Sequence, residues 1–125
     1  MSEAALEYLK NLLHGIGIHY EFMEWTEPEV PDVYFIGEYI EDPSATQEEN
    51  GHQETTFILR GFTRKKWSLL EREKAKIKAN IAKTAILDDG SGIAVFYEDA
   101  RPVRTGDMAL KSIKINLNIQ EWRVN

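Results

Sequence analysis

The sequence predicts an α+β domain in which two helices pack on a single, mainly antiparallel β-sheet of about five strands. An apolar stripe at helical spacing begins the chain, and a strictly alternating strand lies near its end. The apolar segments between them give the element order α-β-β-β-α-β-β. With 125 residues, of which 42% are hydrophobic, the chain is long enough for one core, so we expect a single domain over residues 1–125.

The first three elements follow from capping and periodicity. Ser2 is a suitable N-cap, and four leucines at helical spacing after it predict a helix over residues 3–14. Alternating side chains over residues 18–25 predict a half-buried strand. Aromatic and β-branched side chains over residues 33–40 predict a second strand.

A polar segment separates the second and third strands. Residues 41–52 are mostly acidic and contain no apolar residue larger than alanine, which predicts a flexible loop. Residues 53–62 are again rich in β-branched and aromatic residues and predict the third strand.

The second half of the chain contains a basic helix and two strands. An apolar stripe predicts the helix at about residues 66–83; it consists of Trp67, Leu70, Ile77 and Ile81. A fourth strand is expected over residues 91–97, and a connection over residues 101–107. In the last strand the apolar and polar side chains alternate, so one face should pack on the helices and the other should meet solvent or a partner. The apolar set is Ile113, Ile115, Leu117 and Ile119.

Charge is divided unevenly along the chain. Residues 1–59 contain thirteen acidic residues and one lysine, for a net charge of −12, whereas residues 60–125 carry +6. If the two halves lie on different sides of the fold, the basic side of one copy suits the acidic side of the next, and such head-to-tail contacts can close into a ring. Alternatively, the halves interleave in space and the asymmetry reflects only chain order.

The residues that carry most enzyme chemistry are missing or badly spaced. The chain has no cysteine, and His14, His19 and His52 lack the spacing of metal ligands. Gly90-Ser91-Gly92 fits a turn better than a phosphate-binding loop. We therefore expect no enzymatic activity, no catalytic residue, no cofactor and no metal.

The basic segment at residues 60–83 has three interpretations. Its nine cationic residues, with Phe62 and Trp67 among them, could contact nucleic acid, face another protein, or form a solvated helix face. No apolar run is long enough to span a membrane and no signal peptide is evident, so we expect no membrane partner and a cytoplasmic location.

A set of aromatic, glycine and turn residues resembles a known family. The set comprises Trp25-Thr26, Pro31, Tyr34-Phe35, Gly37-Glu38, Phe57, Gly61-Phe62-Thr63, Trp67, Asp89-Gly90, Tyr97, Val103, Leu110-Lys111 and Glu121-Trp122. It resembles small structural proteins from the tail modules of long-tailed phages and prophages of Gram-positive bacteria, and within them most closely the tail terminator, or tail completion, proteins. The resemblance covers nearly the whole chain, and its motifs are structural rather than catalytic.

The resemblance implies a virion protein that is assembled in the bacterial cytoplasm. It implies a six-membered ring of identical subunits that caps the finished tail tube and provides the surface for head attachment. The implied partners are other copies of the chain, the major tail tube protein, the head connector proteins, and DNA that passes through the lumen without specific binding. Two alternatives remain: another head–tail connector or head-completion protein, and a small nucleic-acid-binding or regulatory protein that uses residues 60–83.

The candidate interface or lumen residues follow from charge and loop length alone. They are the acidic Glu41, Asp42, Glu48 and Glu49 and the basic Arg64, Lys65 and Lys66. We expect the acidic set of one subunit to meet the basic set of the next, or else to line the ring opening and repel the DNA backbone.

Overall fold

The chain forms one layer of strands and one layer of helices. The computed structural model describes residues 1–41 and 52–123. In chain order the elements are α1 (Glu3–Gly15), β1 (Tyr20–Phe22), β2 (Val33–Glu41), β3 (Gln53–Thr63), α2 (Trp67–Asn80), β4 (Lys83–Ile86), β5 (Gly92–Val103) and β6 (Lys111–Trp122).

The strands form a single mixed sheet of six strands in the order β1-β2-β3-β6-β5-β4. Every neighbouring pair is antiparallel except β1 and β2, which run parallel. The predicted α+β class, with two helices packed on one mainly antiparallel sheet, is therefore confirmed. The register aligns Tyr20, Phe35, Gly61 and Ile113 across four adjacent strands.

Both helices pack on the same side of the sheet, which we call the covered face. Buried side chains of α1 and α2 join those of the strands in one apolar cluster that includes Leu9, Leu13, Leu70, Ile77, Phe35, Phe57 and Leu117. The predicted packing of the α2 stripe on the β6 isoleucines is confirmed, with Trp67 only partly buried at its edge. The opposite side of the sheet, the open face, carries the polar members of the β6 alternation.

Two hydrogen-bonded groups fix the start of α1. Ser2 Oγ accepts from the Ala5 backbone N–H at 3.1 Å, as expected of an N-cap. Glu121, which is buried at the end of β6, accepts from the Ser2 backbone N–H at 3.2 Å and from its hydroxyl at 2.8 Å. These hydrogen bonds connect the start of α1 to the C-terminal end of β6.

Glycines make room for aromatic rings on the covered face. A Cβ at Gly61 would clash with Phe35 Cε2, and one at Gly37 would lie 2.6 Å from Phe57 Cζ and from Tyr20 Cε1. No real Cβ approaches so closely, so these glycines pack directly against rings from the neighbouring strands. Gly37 and Gly61, which belong to the set that resembles the phage tail proteins, therefore have a packing role.

Two predictions for the second half of the chain are wrong in extent. The helix expected to reach residue 83 ends at Asn80, whose side chain donates to the Lys76 carbonyl oxygen at 2.8 Å, and the next residues form the additional strand β4. The connection expected at 101–107 is strand as far as Val103. β4 pairs with only the first residues of β5, so Pro102 lies where the strand has a free edge and its missing N–H costs no ladder bond.

The first half also differs from expectation in detail. The strand expected over 18–25 is shorter, and it pairs parallel to β2 because the connection after it carries the chain back along the sheet edge. Most of the predicted loop at 41–52 lies outside the described residues. Its first residue, Glu41, is not loop but the last residue of β2, where it pairs with Thr55. Neither described helix is long and apolar enough to cross a membrane.

Candidate assembly interface

The sheet order separates the acidic and basic halves of the chain. Strands β1, β2 and most of β3 come from residues 1–59 and lie together, whereas β6, β5 and β4 come from the basic half. The strands of the two halves are therefore not interleaved. The helices do cross between them: the first turn of α1 reaches Glu121, and α2, from the basic half, contacts β3 as well as β6.

The candidate acidic and basic residues lie toward opposite ends of β3. Glu41 is paired near the start of this strand, and Arg64, Lys65 and Lys66 follow its last residue. The eleven residues of β3 span about 33 Å at roughly 3.3 Å per residue. One copy therefore does not bring Glu41 together with the basic cluster. Asp42, Glu48 and Glu49 lie outside the described residues.

The Glu41 carboxylate has partners within the chain. Gln53 Nε2 donates to its Oε2 at 2.6 Å, and the Met1 amino group contacts its Oε1. Because these contacts already use both oxygens, Glu41 is a weaker interface candidate than its charge alone indicated.

The basic cluster at 64–66 is held by its backbone while two of its side chains extend into solvent. Arg64 Nη1 lies 3.1 Å from Asp107 Oδ2, which contributes to lowering the pKa of this aspartate below its ordinary value, after the larger effect of the Ala109 backbone N–H. Lys111 Nζ donates to the Lys65 carbonyl oxygen at 2.8 Å. The Lys65 and Lys66 side chains are exposed.

The basic segment 60–83 is less positive than its composition suggests. Four of its nine cations lie within salt-bridge distance of a carboxylate: Arg60 with Glu38, Arg64 with Asp107, Lys74 with Glu71 and Lys76 with Glu73. The short Lys74–Glu71 hydrogen bond raises the pKa of the lysine and lowers that of the glutamate. Much of α2 is consequently a mixed-charge surface, which weakens the case for phosphate binding along the helix.

A groove that sequence analysis missed lies beside the edge strand β1. It has a volume of about 1250 Å³ and runs between the outer side of α1 and the connection from β1 to β2. Its apolar lining includes Leu6, Phe22, Trp25 and Val30, and its acidic lining consists of Glu3, Glu7, Glu21, Glu27 and Glu29. Of the lysines and arginines in residues 1–41 and 52–123, only Lys10 lines it, and its Nζ lies 3.7 Å from Glu7 Oε2.

Side-chain contacts keep the walls of this groove in place. Glu21 accepts from Thr26 Oγ1 at 2.5 Å and from its backbone N–H at 3.2 Å, and these bonds lower the pKa of Glu21. Trp25 Nε1 donates to the Glu29 carbonyl oxygen at 3.1 Å. Met23, at the turn out of β1, has a φ of 70°, a conformation that is uncommon for a residue other than glycine. The groove could not be predicted from periodicity, because periodicity does not reveal how α1 packs against the connection that follows β1.

The open face carries a row of cations that sequence alternation only partly indicated. Arg60, Lys114 and Arg101 are paired neighbours across β3, β6 and β5, and like charges at such positions repel. Glu38 offsets part of this charge through its 2.8 Å contact with Arg60 Nε. Tyr34 and Phe62 stack beside the row, with their ring centroids 5.3 Å apart.

Comparison with known proteins adds no relative. A scan against models of protein families finds no match, and a search of curated proteins finds no similar sequence. The family resemblance therefore depends on the residues quoted for it.

Proposed function

We propose that this chain is a structural virion protein, a ring-forming subunit that caps a phage tail tube and provides the surface for head attachment. The observation that carries the proposal is the separation of charge across the sheet. The acidic strands and the acidic groove lie toward the β1 edge of the sheet, and the exposed Lys65 and Lys66 follow the last residue of β3, away from Glu41 at the other end of that strand. The resemblance to tail terminator proteins supplies the biological setting.

Charge separation of this kind favours contacts between unlike surfaces. Two acidic surfaces or two basic surfaces repel each other, so a two-fold contact that pairs either surface with itself is disfavoured. A contact between unlike surfaces is repeated by every added copy, and it closes when the rotation per copy divides a full turn. Each exposed ion pair contributes at most about 1 kcal/mol, but the same pair recurs at every interface of the ring.

The particle phenotype of a gene deletion tests the proposal. Without a terminator, tube polymerisation has no stop, so electron microscopy should show overlong tails detached from heads, and the wild-type gene supplied in trans should restore normal particles. DNA-filled heads with tails of normal length but no junction would instead assign a head-completion role. Normal particles would contradict both.

The nucleic-acid-binding alternative keeps one supporting observation, the cation row on the open face. Arg60, Lys114 and Arg101 could follow a phosphate backbone, and Phe62 could stack on a base. Duplex or single-stranded DNA binding that weakens steeply with salt, and that is lost in Lys114→Glu, would favour this alternative.

A further inference from the structure

The turn between β5 and β6 presents a fully exposed apolar side chain. Met108 has a relative exposure of 102%, the highest of the exposed large hydrophobic residues in the described chain. The turn around it is ordered: Thr105 Oγ1 donates to the Leu110 carbonyl oxygen at 2.9 Å, and Asp107 Oδ1 accepts from the Ala109 N–H at 2.9 Å. Hydrogen bonds therefore shape the turn, and the Met108 side chain is not packed against the described chain.

Basic residues surround this methionine. Asp107, its neighbour in the chain, pairs with Arg64, so the turn lies against the basic cluster 64–66. Arg104 precedes the turn and is exposed, and Lys111 follows it. The surface thus combines one unbranched apolar side chain with basic residues on neighbouring segments, and we call residues 104–110 together with the basic cluster the basic knob.

The groove beside β1 has the complementary character. Its floor contains the half-exposed Phe22 and the exposed Val30, and its rim is acidic. In the sheet, β1 lies three strand spacings of roughly 4.8 Å, or about 14 Å, from β6, which follows the turn that carries Met108, and two spacings from β3, which precedes the basic cluster. The hydrogen-bonded turn therefore does not place Met108 in the groove of its own chain.

We propose that the basic knob of one copy docks into the acidic groove of a second copy, with Met108 on the apolar floor beside Phe22 and Val30. Charge complementarity selects this occupant, because the chain itself displays the matching surface and none of the knob residues lines the groove of the same copy. Methionine suits such a role because its flexible, polarisable side chain packs well against aromatic rings. The proposal rests on the proposed head-to-tail assembly and names its contact; the acidic partner of Lys65 and Lys66 becomes the groove rather than the 41–52 segment.

Cysteine trapping tests this contact cleanly, since the natural chain has no cysteine. Val30→Cys protein is mixed with Met108→Cys protein under mild oxidation, and disulfide-linked dimers are followed by non-reducing electrophoresis. The matched control replaces Val30→Cys by Ile86→Cys, since the two positions are similarly exposed, at 58% and 64%, and Ile86 lies on the opposite edge strand. Each rate is normalised to the reaction of the same cysteine with a small neutral disulfide.

The Val30→Cys and Met108→Cys pair should cross-link about tenfold faster than the control pair, because docking raises the local thiol concentration. The added substitutions Lys65→Glu and Lys66→Glu, far from either thiol in sequence, should remove most of that advantage. Equal rates for the two pairs, or faster homodimers of Met108→Cys, would overturn the proposal. If trapping fails while the deletion gives overlong tails, only this contact is wrong; if trapping succeeds while the deletion gives normal particles, the tail role is wrong.

Discussion

Truncation of Leu117 tests which face of β6 is buried and how tightly the helices pack on it. The side chain is fully buried in the apolar cluster. Leu117→Ala removes three carbon groups at about 0.8 kcal/mol each, and the cavity left behind adds to that loss. We expect the free energy of unfolding to fall by about 2–5 kcal/mol and the Tm to fall by about 10 °C.

The adjacent residue provides a matched control for this change. Asn118 points to the open face, where its Nδ2 donates to Glu54 Oε1 at 2.7 Å, and Asn118→Ala should cost about 1 kcal/mol or less. Urea unfolding followed by the fluorescence of the three tryptophans measures both variants. Equal small losses would refute the assigned orientation of the strand and the packing built on it.

Two further predictions concern close packing and pH. Gly61→Ala should destabilise by about 1–3 kcal/mol because its Cβ would strike the Phe35 ring, whereas Gly15→Ala meets no atom within 4 Å and should leave urea unfolding unchanged or slightly improved. Thr26→Val should move the pKa of Glu21 back up toward its ordinary value in an NMR titration, since the hydroxyl is the main cause of the lowering. Because the pKa of Glu21 is lower in the folded than in the unfolded protein, the stability that this hydrogen bond gives is complete above about pH 4.3 and is lost as the pH falls through the folded pKa. An identical Glu21 titration in the wild type and in Thr26→Val would refute the assigned cause.

Local patterns accounted for the elements of the fold and for part of its topology. The alternation in β6 and the Ser2 N-cap depend on near neighbours in sequence, so the covered face and the start of α1 could be predicted. β4 could not, because Lys83–Ile86 continues a helical stripe in sequence and becomes a strand only by pairing with β5. The parallel pairing of β1 likewise depends on the path of residues 23–32.

The uneven charge of the two halves could be predicted from the sequence, whereas the surfaces on which these charges lie could not. The sums of charge identified an acidic half and a basic half, and Lys65 and Lys66 are indeed exposed. The groove and the exposed Met108 were missed, because a groove exists only when α1 meets the connection after β1, and an isolated methionine in a turn has no sequence signature. Glu41 was chosen for its charge, but its hydrogen bonds to Gln53 and Met1 depend on a register that the sequence does not reveal.

Charge-reversal complementation of tail completion tests the head-to-tail account most directly. In a deletion host, the variant with Lys65→Glu and Lys66→Glu should fail to complete tails, because the loss of about 1 kcal/mol or less per exposed pair recurs at every interface of the ring. The purified variant should keep its unfolding midpoint, because both side chains are exposed. Adding Glu27→Lys and Glu29→Lys in the same chain should restore part of the function, whereas rescue by Glu48→Lys and Glu49→Lys would assign the partner to the 41–52 segment. Normal tail completion by the lysine reversal alone would contradict the account, because assembly would then not depend on the basic cluster.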